Sequence, residues 1–147
     1  FKLQGFREMD AALGELNKPT GRNVLRRAGM QALQPVADEM TARAPKEDGD
    51  LKDAIAVGTK RHKGVKREFS DTSIVEIYVG PAVVGAGVPP QAFQQEFGNE
   101  QHGPQAYARP GWDTKVSGIM DDLKGPLGAE IDKATARAQR KALRAKG

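Results

Sequence analysis

Apolar positions recur at helical spacing over two long stretches of this chain and alternate over two short ones. Residues 1–6 alternate apolar and polar and predict a short strand. Residues 7–16 place Met9, Leu13 and Leu16 on one face, as a short helix would, and Pro19 and Gly21 mark a break over 17–21. In 23–44, Leu25, Ala28, Ala32, Val36 and Met40 fall three or four apart. That spacing predicts a long helix, kinked at Pro35 and closed before Pro45. An acidic turn follows at 47–50, then a strand over 51–59 carrying Leu51, Ile55 and Val57. Residues 61–70 are polar and basic and predict a loop or hairpin tip. Residues 73–80 predict the clearest strand, with Val75, Ile77 and Val79 on one face and Ile74 and Tyr78 beside Glu76 on the other. Apolar residues on both faces place that strand in the sheet interior or under a second layer.

Residues 81–90 predict a loop, 91–97 a short helix and 98–110 a polar loop. A final helical segment over 111–145 has the stripe Trp112, Val116, Ile119, Leu123, Leu127, Ile131, Ala134 and Ala138, with Gly125-Pro126 as a kink or break. The expected fold class is α+β. A small, mostly antiparallel sheet packs with a kinked N-terminal long helix and a long C-terminal helix, in a single domain over 1–147. One small sheet cannot cover both long helices, so some apolar helix surface awaits a partner.

Composition and charge change this picture in two places. Hydrophobic residues are 38% of the 147, a low share that implies a thin core and much polar surface. The net charge of +4 is uneven. A basic helical tail, about 133–147, holds Lys133, Arg137, Arg140, Lys141, Arg144 and Lys146 and no acid, which leaves the rest of the chain at −2. Such a tail is a solvated helix end favoured by the helix dipole, or a contact for an acidic partner or nucleic acid. The chain has no cysteine, which excludes disulfides, thiolate catalysis and Cys-ligated zinc. No apolar run is long enough to span a bilayer. The opening Phe1-Lys2-Leu3-Gln4-Gly5 does not fit a signal peptide, and without a Met it points to lost leading residues.

No constellation supports a reaction. His62 and His102 stand in separate polar loops and make no zinc site. Asp121-Asp122 lies on a helix, where adjacent side chains point apart. Glu47, Asp48 and Asp50 lack the calcium-loop pattern. Gly80, Gly85 and Gly87 fit neither a P-loop nor a dinucleotide spacing, and Ser70, Ser73 and Ser117 lack a glycine elbow. No catalytic residue, metal or cofactor is expected. Lys60, Arg61, Lys63, Lys66 and Arg67 form a basic loop with only Phe69 nearby, enough for sequence-independent phosphate contact but not for base readout.

The run Glu96-Phe97-Gly98-Asn99, followed by residues 102–112 with Arg109-Pro110-Gly111-Trp112, resembles the tail-completion, or neck, proteins of long-tailed double-stranded DNA bacteriophages. Upstream, residues 49–55 with Leu51 and Ile55 match the family's Gly-x-Leu-x-x-Ser-Ile element, with Ala54 in place of Ser. Asn99 replaces a usual Thr, and Tyr107-Ala108 replaces a Pro-Phe-Leu-like run. The resemblance implies a non-enzymatic virion protein of the neck, assembled in the host bacterial cytoplasm. It implies a homo-oligomeric ring, by analogy of six subunits, between the head-closure and tail-terminator proteins. DNA would pass through the lumen without sequence-specific contact, and no membrane is involved. Read physically, Gly98 permits a positive-φ turn or caps a helix, and Pro110 suits a helix first turn. Arg109 either pairs with Glu96 or stands exposed, and Trp112 anchors its helix to the sheet or meets a neighbouring subunit. The loops carrying Arg61, Lys63, Lys66 and Arg67 and carrying Val84 and Val88 are the candidate partner contacts. The rival reading is a sequence-independent nucleic-acid-binding accessory protein built on the two basic clusters.

Overall fold

A computed structural model describes residues 5–45, 49–59, 75–81 and 89–147. The elements run α1 (Phe6–Gly14), α2 (Lys18–Arg43), α3 (Gly49–Ala54), β1 (Ile55–Gly58), β2 (Tyr78–Pro81), α4 (Gln91–Phe97), α5 (Ala108–Lys115), a 3-10 turn (Val116–Gly118) and α6 (Ile119–Lys146). The protein is α+β: mostly helical, with a small antiparallel sheet and long helices toward each end. The chain divides into two compact units. The division falls inside α2, between Ala32 and Leu33, and again between Ile119 and Met120.

In the first unit, α1, the N-terminal half of α2 and α6 share one core. Met9, Val24, Ala28, Leu127, Ile131 and Ala134 are buried, with Phe6, Leu13, Leu16, Leu25 and Leu123 packed against them. The expected face of α1 is therefore the buried one. α2, however, starts at Lys18 and not after residues 17–21. The Asn17 Oδ1 accepts the Thr20 N–H at 3.0 Å, the N-cap geometry, so Pro19 falls in the first turn, where its missing N–H costs nothing. Phe6 belongs to α1 and not to a strand, and residues 1–4 lie outside the described ones.

Among the described residues, one charged residue is buried beside this core. Glu130 is 5% exposed and accepts from Arg27 Nε at 2.6 Å and from Lys133 Nζ at 3.3 Å. The hydrogen bond from Arg27 outweighs the cost of desolvation and holds the carboxyl below its ordinary 4.5. A depressed carboxyl pKa gives stability that is present above the unfolded value and lost as pH falls through the folded one. Glu130→Gln is expected to destabilise this unit by about 2 kcal/mol at neutral pH. The penalty should shrink as pH drops below 4.5. Urea titrations at several pH values check this; a penalty independent of pH contradicts it.

In the second unit, Val36, Ala37, Met40, Ala44, Leu51, Ile55, Ala92 and Tyr107 form the core, flanked by Leu33, Val57, Val79, Ala108 and Ile119. β1 and β2 pair antiparallel, with Val57 opposite Val79 and Ile55 opposite Pro81. Two expected strands are shorter than the patterning implied. Leu51 lies on α3, fully buried, and only Ile55 onward is extended. Leu51 and Ile55 stand four apart, a spacing that a helical turn leading into a strand brings to one side as readily as alternation does. β2 begins at Tyr78; residues 75–77 are not extended into the ladder, and 73–74 lie outside the described residues. Among the described residues β2 has one strand neighbour, at the edge of a two-stranded sheet.

α2 and α6 continue through Pro35 and Pro126 without a break. The interruption expected at Gly125-Pro126 lies instead at Val116–Gly118, where Ser117 and Gly118 weaken the helix.

Candidate functional site

The motif segment 96–112 forms one self-braced unit of α4, a loop and α5. α4 spans residues 91–97 as expected and ends on Gly98 at φ 77°, the positive-φ turn anticipated there. The Gly98 N–H returns to the Gln94 carbonyl at 2.8 Å. A Cβ on Gly98 would lie 2.9 Å from the Pro104 nitrogen, so the loop closes directly over this glycine. Asn99 organises the turn: its Oδ1 accepts from the Gln101 and His102 N–H groups at 2.8 and 2.9 Å. The His102 ring lies 3.1 Å from Asn99 Nδ2 and 3.0 Å from the Gly103 carbonyl. Protonation on Nδ1 satisfies both contacts, so this histidine is a loop brace. Residues 97–104 line an open hollow of about 490 Å³.

The centre of the unit is Glu96. Its Oε2 accepts the Tyr107 and Ala108 N–H groups at 2.9 and 2.8 Å, and its Oε1 accepts the Arg109 N–H at 2.9 Å. α5 begins at Ala108 with Tyr107 at the N-cap position and no capping side chain of its own. A carboxylate eleven to thirteen residues upstream therefore satisfies the orphan donors of its first turn and meets the positive end of its dipole. Arg109 does not pair with Glu96 through its side chain. Its Nε lies 3.1 and 3.2 Å from the two Asp113 carboxylate oxygens, exposed on α5. Pro110 is in the first turn of α5, as expected.

The buried aromatic anchor is Tyr107, 1% exposed, whose hydroxyl reaches the Ala92 carbonyl at 3.4 Å. Trp112, expected to anchor the helix, is 37% exposed. α5 presents Gly111, not Trp112, to α2, and a Cβ there would lie 2.7 Å from Met40 Cγ. Phe93 and Phe97, four apart on α4, are also exposed, at 59% and 76%. Leu51 and Ile55 belong to the adjoining core. The signal for Tyr107 was present in the sequence: a helix start preceded by an aromatic and lacking Ser, Thr, Asp or Asn needs both an anchor and a borrowed cap.

The basic loop with Arg61, Lys63, Lys66 and Arg67 lies outside the described residues, as do Val84, Val88 and His62. Among the described residues no three His, Asp or Glu side chains gather as metal ligands. No described helix is long and apolar enough to cross a membrane.

A family model described as "Bacteriophage HK97-gp10, putative tail-component" matches residues 7–82, half of the chain. The chain belongs to the HK97-gp10-like family. No curated protein and no solved structure matches it. The matched stretch covers α1, α2, α3 and both strands, with Leu51 and Ile55, and stops before α4. Membership in this phage tail-component family therefore rests on the helix–strand half, and the Glu96-capped unit is a separate observation from the same chain.

Proposed function

We propose that this HK97-gp10-like chain is a structural, non-catalytic subunit of the phage neck. It forms a homo-oligomeric ring, of six copies by analogy, between the head-closure protein and the tail terminator. DNA passes through the lumen without sequence-specific contact, and assembly takes place in the host cytoplasm. Membership in a phage tail-component family carries this reading. The second unit supports it in physical terms. The Glu96 carboxylate is engaged by three backbone donors, so within the motif it braces a rigid platform. Apolar side chains are turned outward from that platform, Phe93 and Phe97 on α4 and Trp112 and Val116 at four-residue spacing on and just after α5. Aromatics exposed on rigid elements are what the centre of a protein–protein contact is made from.

Sedimentation velocity and negative-stain imaging of the purified protein, alone and with head-closure and terminator proteins, test this. Closed rings are the expected result. Monomer at every concentration, with no incorporation into a head–tail complex, overturns it. The rival nucleic-acid reading draws on both basic clusters, of which the basic half of α6 lies among the described residues. It predicts tight duplex binding that weakens steeply with salt and is lost on deleting residues 133–147; the ring reading predicts that binding to be weak.

A further inference from the structure

The first unit carries opposite charges on two sides. On α6, Lys124 and Gly128 face α1: the Lys124 Nζ lies 5.2 Å from the Phe6 ring centroid, and a Cβ on Gly128 would lie 3.7 Å from Met9 Cε. At about 100° per residue, Asp121 and Asp132 fall within roughly 40° of Gly128, on the α1 side. α1 and its C-cap add Glu8, Asp10 and Glu15 against Arg7 alone. Asp121 is paired with Lys124 at 2.9 Å. Asp10, Glu15 and Asp132 are exposed and meet no cation among the described residues.

The α2 side is basic. Glu130 marks that side of α6, because it accepts from Arg27 of α2. Arg137, Lys141 and Arg144 fall within roughly 40° of Glu130 on the helix. They are exposed, as is Arg140, and none meets a carboxylate among the described residues; Arg140 reaches only the Ala136 carbonyl. From Lys133 to Lys146 α6 has no acid, and beyond Ala134 none of its residues is buried. α2 likewise has no acid from Lys18 to Ala32, and the Arg22 and Arg26 Nε atoms find no acceptor among the described residues.

The helix dipole does not account for this pattern. Its effect fades within the first and last turns, whereas Asp132, Lys133 and Arg137 lie mid-helix. A helix face meant only for solvent gains by interleaving opposite charges four apart. Here Arg137 faces Lys141, Arg140 faces Arg144 and Arg22 faces Arg26, like against like, each a mild penalty to the isolated helix.

We infer that the basic end of α6 docks on the acidic side, α1 with the first half of α6, of a second copy of this chain. The two surfaces are opposite in sign and stand on different sides of one unit. Their pairing is therefore head-to-tail, a heterologous contact that leaves one basic and one acidic surface free to continue. A symmetric contact through either surface sets like charge against like and is excluded. A nucleic-acid duplex is the poorer occupant: it meets the basic surface alone, and the acidic side of the same unit repels it. The inference rests on the ring reading and names the contact that links neighbouring subunits in it.

Two full-length variants test it. One carries Arg137→Glu, Arg140→Glu, Lys141→Glu and Arg144→Glu; the other carries Asp10→Lys, Glu15→Lys and Asp132→Lys. All the sites are exposed, and circular dichroism checks that each variant keeps its helix content. Sedimentation velocity at low and moderate salt is expected to show each variant associating about tenfold to a hundredfold more weakly than the parent, roughly what several charge pairs contribute. An equimolar mixture should regain association, because each reversed surface then meets its complement. If both variants form rings as the parent does, the α6 contact is wrong while the ring stands. If the parent forms no ring, both readings fall. If the variants dissociate and the mixture does not recover, or if the first variant's only defect is lost duplex binding, the second-copy assignment is overturned.

Discussion

Glu96→Ala should destabilise the second unit by about 3 kcal/mol, a large effect for one half-buried acid. The carboxylate accepts three backbone N–H groups at 2.8–2.9 Å, all at the start of α5. Those donors have no intrahelical partner and no N-cap side chain. Loss of an ordinary cap costs about 1 kcal/mol, and a hydrogen bond to a charged group contributes about 1.5–3 kcal/mol net. Water can reach the Arg109 N–H, which is exposed, so the three bonds do not add in full. Tyr107 is less forgiving: if its N–H loses the carboxylate, the ring buried against Ala92 loses its fixed approach to the core. Glu96→Gln keeps one acceptor oxygen and should lose about half as much. Urea unfolding followed by Trp112 fluorescence measures both; a change below about 0.5 kcal/mol for the alanine variant shows that the cap is not structural.

How much of this was legible in the sequence varies by element. The face of α1, the α4 boundaries and the Gly98 turn were readable because each depends on residues within one or two turns: Met9 with Leu13, and a glycine closing a helix. The start of α2 was hidden because Pro19 and Gly21 are loop residues by composition, yet an Asn17 cap makes a proline in the first turn harmless. Leu51 was misplaced because a single turn of helix feeding a four-residue strand has too few positions to show a period. The Pro126 break did not occur because a missing N–H removes one hydrogen bond from a helix whose buried face, Leu127, Ile131 and Ala134 with Leu123 beside them, holds it from both sides of the defect.

The site was harder still. An acid at 96 and an arginine at 109 invite an ion pair, but the carboxylate binds the backbone of that arginine while its side chain turns to Asp113, four residues along its own helix. Trp112 invites burial by size, yet its neighbour Gly111 faces α2. Which of two adjacent helical residues faces inward depends on how closely two helices cross, and local patterning does not record that distance.

That crossing gives the second large effect. Gly111→Val should destabilise the second unit by about 3 kcal/mol and lower its melting temperature by roughly 10 °C. A Cβ at 111 would stand 2.7 Å from Met40 Cγ and 3.1 Å from the Met40 Cα and N. The side-chain clash could relax by a methionine rotamer change, but the backbone clashes cannot, because Met40 lies inside α2 with Ala37 and Ala44 buried on either side. α5 must then move away from α2, and Tyr107, at its N-terminus, moves with it. Gly111→Ala separates the competing terms. Alanine in place of glycine favours a helix by about 1 kcal/mol, whereas overpacking costs about 1–3 kcal/mol. With two backbone contacts at 3.1 Å the packing term wins, so the alanine variant should also be less stable than the parent. Pairing it with Met40→Ala, which removes the Cγ contact and leaves the backbone ones, should recover only part of the loss. If Gly111→Ala instead stabilises the unit, the two helices do not approach this closely, and α5 has room to adjust its seat on α2.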